Sequence, residues 1–391
     1  MKRLSILFTL LVVFSFGAFS QESLTDAPEY NAVVINGPYG LRSETSPERI
    51  GYQGQIHSAL DPNGGLHGNP ALLANIDTLK AFDFAIGGVP FESPFIGKQS
   101  ASLVFNSYLG VTPKLAFGLQ LAQSSYISKT GFQIEERDNH KHAKLAVNYE
   151  LFKGHNLGVS IGRYKAIQKF ETSGNTELIE SPGFVFDLGY FYKHGLVIFP
   201  GSITYLTADI SLSNFGPKTS DLQYGLPSAL KANIGMTTDR GVNGFGKGLF
   251  IFEGIVGVEK SLGQTEHTTM TNVQDMSGFD IMMASFSDNP FPGGDAREWI
   301  FNAAGSVSIV LDRDEYLKFY GSLRLSNNLH EPSDILGYGL QLRIGKVITS
   351  FSGQFKAMSF PDPPPAGGIV LPEPSFNADK IAFGLGLRYL L

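Results

Sequence analysis

Lys380-Ile381-Ala382-Phe383-Gly384-Leu385-Gly386-Leu387-Arg388-Tyr389-Leu390-Leu391 is the stretch on which the fold turns. Ile381, Phe383, Leu385, Leu387, Tyr389 and Leu391 share one parity, and Ala382, Gly384, Gly386 and Arg388 share the other. In an extended strand these sets point to opposite faces, one apolar and one small or polar. An aromatic-rich strand of this kind at the end of the sequence, with no polar tail, fits a transmembrane β-barrel whose outside meets lipid and whose inside meets a polar lumen.

The same period recurs upstream. Alternation places strands near 79–88, 100–109, 114–124, 141–152, 155–165, 183–192, 202–213, 227–238, 248–260, 299–311, 316–326, 335–345, 346–357 and 380–391. That predicts an all-β, antiparallel barrel of about fourteen strands, an even count within the range of outer-membrane barrels. The spacing of turns agrees. Tight connections such as 110–113, 153–154, 312–315 and 345–346 alternate with long ones at 126–140, 166–182, 261–298 and 358–379. Short periplasmic turns alternating with long outer loops are the plan of such barrels.

The rest of the chain reads consistently. Lys2 and Arg3, the apolar run 4–16 and the small residues around Ala18 and Ser20 predict a signal peptide over 1–20. That run is shorter than the roughly 20 residues a membrane helix needs. Residues 21–78 are rich in Gly, Pro, Asn and Ser without a sustained period, and are expected to form a plug-like segment ahead of a barrel over 79–391. The chain has no cysteine, which removes disulfide frameworks, thiol enzymes and lipid attachment through cysteine. No basic concentration suits nucleic acid.

Parity also assigns the lumen. Lys144, Glu150, Asp187, Arg324, Gln341, Arg343 and Arg388 are expected inside, because a charge at the lipid midplane costs roughly 2–4 kcal/mol. Gly158, Gly162, Gly337, Gly339, Gly384 and Gly386 face the same way and leave space for the N-terminal segment. His140, His142 and His155 lack the spacing of a metal site, and the first two read as solvated residues at a loop boundary. No nucleophile elbow is present, so the expectation is a protein without catalytic residues, metal or cofactor. The long connection 261–298 carries Phe279, Phe286 and Phe291 and leads into Trp299, a candidate partner surface.

Two stretches carry a family resemblance. Asn69-Pro70-Ala71, between Gly68 and Leu72, resembles the Asn-Pro-Ala signature that follows the N-terminal plug in the FadL superfamily of outer-membrane proteins. Ile210-Ser211-Leu212-Ser213-Asn214-Phe215-Gly216-Pro217-Lys218, with Gly225-Leu226-Pro227 and Gly235, looks like its PorV and PorQ branch, components of type IX secretion. The branch's Ala-Arg-Ala and Gly-Met-Gly segment is replaced over 50–60 by Ile-Gly-Tyr-Gln-Gly-Gln-Ile-His-Ser-Ala-Leu, which marks a divergent relative. The resemblance implies outer-membrane lipids as surroundings and a secretion translocon or secreted cargo as partner. The superfamily name implies the alternative, a channel for uptake of hydrophobic small molecules. A third reading, a purely structural or adhesive barrel, also stays open.

Overall fold

Each alternating stretch adopts the extended conformation that puts its two residue sets on opposite sides. The computed structural model describes residues 65–76, 80–89, 92–93, 96–130, 134–172, 175–197, 202–216, 228–241, 249–262, 299–312, 315–326, 335–356 and 382–391. They form a 3-10 helix (Pro70–Ile76) and the strands β1 (Lys80–Val89), β2 (Glu92–Ser93), β3 (Ile96–Thr112), β4 (Leu115–Thr130) and β5 (Ile134–Phe152). Next come β6 (His155–Thr172), β7 (Asn175–Leu196), β8 (Ser202–Phe215), β9 (Ser228–Gly241) and β10 (Leu249–Leu262). The last five are β11 (Trp299–Asp312), β12 (Glu315–Ser326), β13 (Ile335–Ile344), β14 (Val347–Lys356) and β15 (Ala382–Leu390).

Neighbours in sequence pair antiparallel, and the ring closes because β1 pairs with β15 on one side and β3 on the other. β2 pairs only with the start of β3, so fifteen strands less β2 leave a closed barrel of fourteen. Closure leaves no open sheet edge, the condition for strands to cross lipid. The outward residues Phe82, Phe84, Ile86, Leu145, Ile161, Leu385 and Leu387 are exposed. The inward Asp83, Lys144, Asp187 and Arg388 are buried. An apolar outside around a polar inside is the inverse of a soluble protein, and it makes this a barrel of the outer membrane.

The turns fix its orientation. Lys153–Gly154 and Gly345–Lys346 each join two strands, with positive φ at Gly154 (78°) and Gly345 (61°). Glycine takes that conformation without a Cβ penalty. Both turns lie at the end where β1 begins and β15 finishes, which short turns mark as periplasmic.

Two connections differ from expectation. The stretches 126–140 and 166–182 are mostly strand: β4 and β5 continue to leave 131–133, and β6 and β7 continue to leave 173–174. Alternation stops there because a hairpin that has risen clear of the bilayer meets water on both faces, so the pattern no longer reports the strand. Residues 1–64 and the connections 263–298 and 357–381 lie outside the described residues.

Candidate functional site: the lumen and the segment held within it

Leu66 and Leu73 insert among Tyr108, Ala116, Ala146, Ile348 and Leu390, an apolar collar inside the periplasmic end of the barrel. Between them, Asn69 organises the chain. Its Oδ1 accepts from the Ala71 N–H (3.1 Å), and its backbone carbonyl accepts from the Leu72 N–H (3.0 Å). Asn is suited to starting a helix in this way, and Pro70 follows where a helical N–H has no internal partner. The Asn69 Nδ2 donates to Asp209 Oδ1 of β8 (3.0 Å), and Asn233 of β9 donates to the same carboxylate (3.1 Å).

The wall is cut to receive this segment. A Cβ at Gly158 would overlap the backbone of Pro70 and Ala71, and one at Gly189 would overlap the Asn69 side chain. At Gly118 a Cβ would meet Leu66 and Leu73. Gly162 and Gly339 differ from the expectation of open space, because Lys144 and Val185 fill the first and the Tyr320 ring fills the second. A second tie runs through Gln120, whose Nε2 donates to a His67 ring nitrogen (3.1 Å) and to Asn106 Oδ1 (3.2 Å), while its Oε1 accepts from His142 Nε2 (2.9 Å). His140 and His142 are therefore lumen-facing residues of β5 and not solvated loop residues; the strand extends past the loop boundary read from the sequence.

Other lumen charges among the described residues pair within the wall. Lys144 Nζ donates to Asp187 Oδ2 (2.9 Å) and to Asn214 Oδ1 (2.8 Å), and Ser160 of the intervening β6 donates to Asp187 Oδ2. Asn214 has φ 54° at an irregularity in the β7–β8 register, which turns its backbone N–H onto Asp187 Oδ1 (2.7 Å). The Ser-Asn-Phe-Gly end of the second motif is thus the bulge that completes the coordination of this carboxylate. The same device recurs across β10, β11 and β12. Glu253 Oε2 accepts from Lys318 Nζ (2.7 Å) and from Ser306 Oγ of the strand between (2.6 Å). Arg388 pairs with Asp83 (3.2 Å) across the closing seam, and Lys231 pairs with Glu259 (3.0 Å).

Of the residues singled out by sequence, Asn69, Pro70 and Ala71 lie buried against β6, β7 and β8, and Lys144 meets Asp187. Glu150 and Arg343 share the lumen parity but brace periplasmic turns: Glu150 accepts from the Gly154 N–H (2.8 Å), and Arg343 Nε donates to the Gly345 carbonyl (3.0 Å). Arg324 stands in register with Asn302 and Ile335, away from the inner segment's partners. Trp299 opens β11 opposite Lys260, while Phe279, Phe286 and Phe291 lie outside the described residues. Sequence reasoning placed Gln120 in the lumen without a partner and missed Asp83, Asp209, Asn233 and Lys318. Each sits at lumen parity on its strand, so the signal was there, but their partners follow only from the order of strands around the ring.

No protein-family model matches the chain, and no curated protein matches it. Among solved structures it is similar to the toluene transporter TbuX of Ralstonia pickettii, at 10% identity over 88% of this chain and 97% of that one, with a TM-score of 0.47. A Pseudomonas aeruginosa FadL homologue is similar at 10% identity over 88% of this chain and 98% of that one, TM-score 0.47. The β domain of the Bordetella autotransporter BrkA is similar at 10% identity over 81% of this chain and all of that one (100%), TM-score 0.39. The barrel plan itself rests on the strand pairing described above.

Proposed function

We propose that this protein is a non-enzymatic outer-membrane barrel that works as an accessory or docking component of protein secretion, of the type IX kind that its motifs resemble. The observation that carries this is the fit between wall and inner segment. Gly158 is shaped to the backbone of Pro70 and Ala71, Gly189 to the Asn69 side chain, and Asp209 holds Asn69, so the segment belongs to the barrel's built interior. The lumen charges Lys144, Asp187, Glu253 and Lys318 are engaged with one another, which suits a scaffold better than a catalyst or an ion path. On this reading a partner is met outside, with 263–298 as the longest stretch available for it.

The test is purification from outer membranes in mild detergent followed by mass spectrometry of what accompanies the barrel. The expected result is a secretion component or secreted cargo that is lost when 263–298 is deleted. Recovery of a small apolar ligand with no protein companion would overturn the proposal in favour of uptake of hydrophobic molecules.

A further inference from the structure

One row of lumen-facing residues crosses five strands. Asp209 of β8 stands opposite Asn233 of β9, Asn233 opposite Gly257 of β10, Gly257 opposite Asn302 of β11, and Asn302 opposite Arg324 of β12. Gly257 has no side chain, so the row contains a gap with a carboxamide on each side of it. Backbone to backbone, the two asparagines are two inter-strand spacings apart, about 9.5 Å, which leaves room for one six-membered ring. Asp209 also holds Asn69, so the row begins where the inner segment is anchored.

The two carboxamides are incompletely matched. Asn302 is 4% exposed, and among the described residues neither its Oδ1 nor its Nδ2 has a hydrogen-bond partner. Asn233 donates from Nδ2 to both oxygens of Asp209 (3.1 and 3.3 Å). A carboxylate only accepts, so this contact fixes the orientation of the amide and points its Oδ1 away from β8. That Oδ1 is buried and has no partner among the described residues either. Leaving buried polar atoms unmet is unfavourable, so three of them around one gap point to something that meets them.

The missing group must donate to two amide oxygens and accept from one amide nitrogen. A carboxylate or phosphate only accepts, and an ammonium only donates. A trans peptide group points its N–H and C=O in opposite directions, so it cannot engage both atoms of one carboxamide. A primary amide would match Asn302 alone and leave Asn233 Oδ1 unmet across the gap. Adjacent hydroxyl groups on a ring offer a donor and an acceptor side by side, with further hydroxyls to span the gap. The surrounding charges balance, which favours an uncharged ligand: Asp209 and Arg324 end the row, and Lys231 pairs with Glu259 one lumen-facing position further along (3.0 Å). We propose that Asn233, Gly257 and Asn302 form a lumen site for a neutral sugar or polyol, with two vicinal hydroxyls on the Asn302 carboxamide and another donating to Asn233 Oδ1.

The experiment takes the full-length barrel in a detergent without a sugar headgroup and titrates it with glucose and, separately, with glucuronate, reading saturation-transfer NMR and the thermal midpoint. Glucose should bind saturably, and glucuronate, the same ring with a carboxylate, at least tenfold more weakly. Asn302→Leu should weaken glucose binding about tenfold or more, and Gly257→Val, which fills the gap, should abolish it. Ser352→Ala, in the lumen on β14, should bind as the parent does. Asn302→Leu should also raise the thermal midpoint of the ligand-free barrel, because it removes the unmet amide, and this comparison stands even if Gly257→Val does not fold. Absence of saturable glucose binding, undiminished binding by Asn302→Leu, or a preference for glucuronate would each overturn the proposal. So would a lower ligand-free midpoint for Asn302→Leu, the mark of an amide already satisfied by bound water.

Discussion

Asp187 accepts from Lys144, Ser160 and the Asn214 N–H, and so has a full set of donors in a place water does not reach. Removing one partner of a buried pair strands the other, at a cost of about 3–5 kcal/mol. Asp187→Ala should therefore lower the denaturant midpoint strongly, and adding Lys144→Met should recover much of the loss; loss of the folded, heat-modifiable band on semi-native gels measures both. Parity alone put Lys144 and Asp187 in the lumen, but it reports a face and not a height. That is why Glu150 and Arg343, on the correct face, turned out to belong to periplasmic turns. The pairing of Lys144 with Asp187 across β6 was legible only with the ring order known, since the two are separated by a whole strand.

Between residue and molecule stands the inner segment, a short 3-10 helix and the turn before it, laid over glycines. Gly158→Val should displace 69–71 while leaving strand pairing intact, because the overlap is with the segment's backbone and not with a neighbouring strand. A broad-specificity protease should then cut at Leu66, Leu72 or Leu73 faster than in the parent, with the barrel core surviving. Asn69→Ala should act in the same direction more mildly, as it forfeits a hydrogen bond to a charged group worth about 1.5–3 kcal/mol. At this scale the fourteen strands were legible from period-2 alternation, and the Asn-Pro-Ala motif pointed to the segment. What escaped was the reach of β4 to β7, whose outer parts carry polar residues on both parities and so lose the signal that lipid imposes on the rest.

For the molecule as a whole, the defining contact is the seam between β1 and β15, where Phe84 faces Leu387 and Asp83 faces Arg388. Deleting 382–391 should leave β1 and β14 as open edges and abolish the barrel; no heat-modifiable species should appear, and the product should aggregate. The alternation of 382–390 made β15 legible as a strand, and a strand of a closed barrel needs a neighbour on each side. Its consequence is one of timing. Asp83 and Arg388 are 305 residues apart in the chain, whereas every other junction of the ring joins consecutive strands, apart from β1 to β3, which skips only the two-residue β2. Hairpins form early because their ends are already close, and contacts between distant parts of a chain come late. For most of its assembly the protein is thus a curved, unfinished sheet with two live edges. The terminal strand acts as the clasp that ends this exposed interval, so the rate at which it is delivered governs how long the nascent protein remains vulnerable.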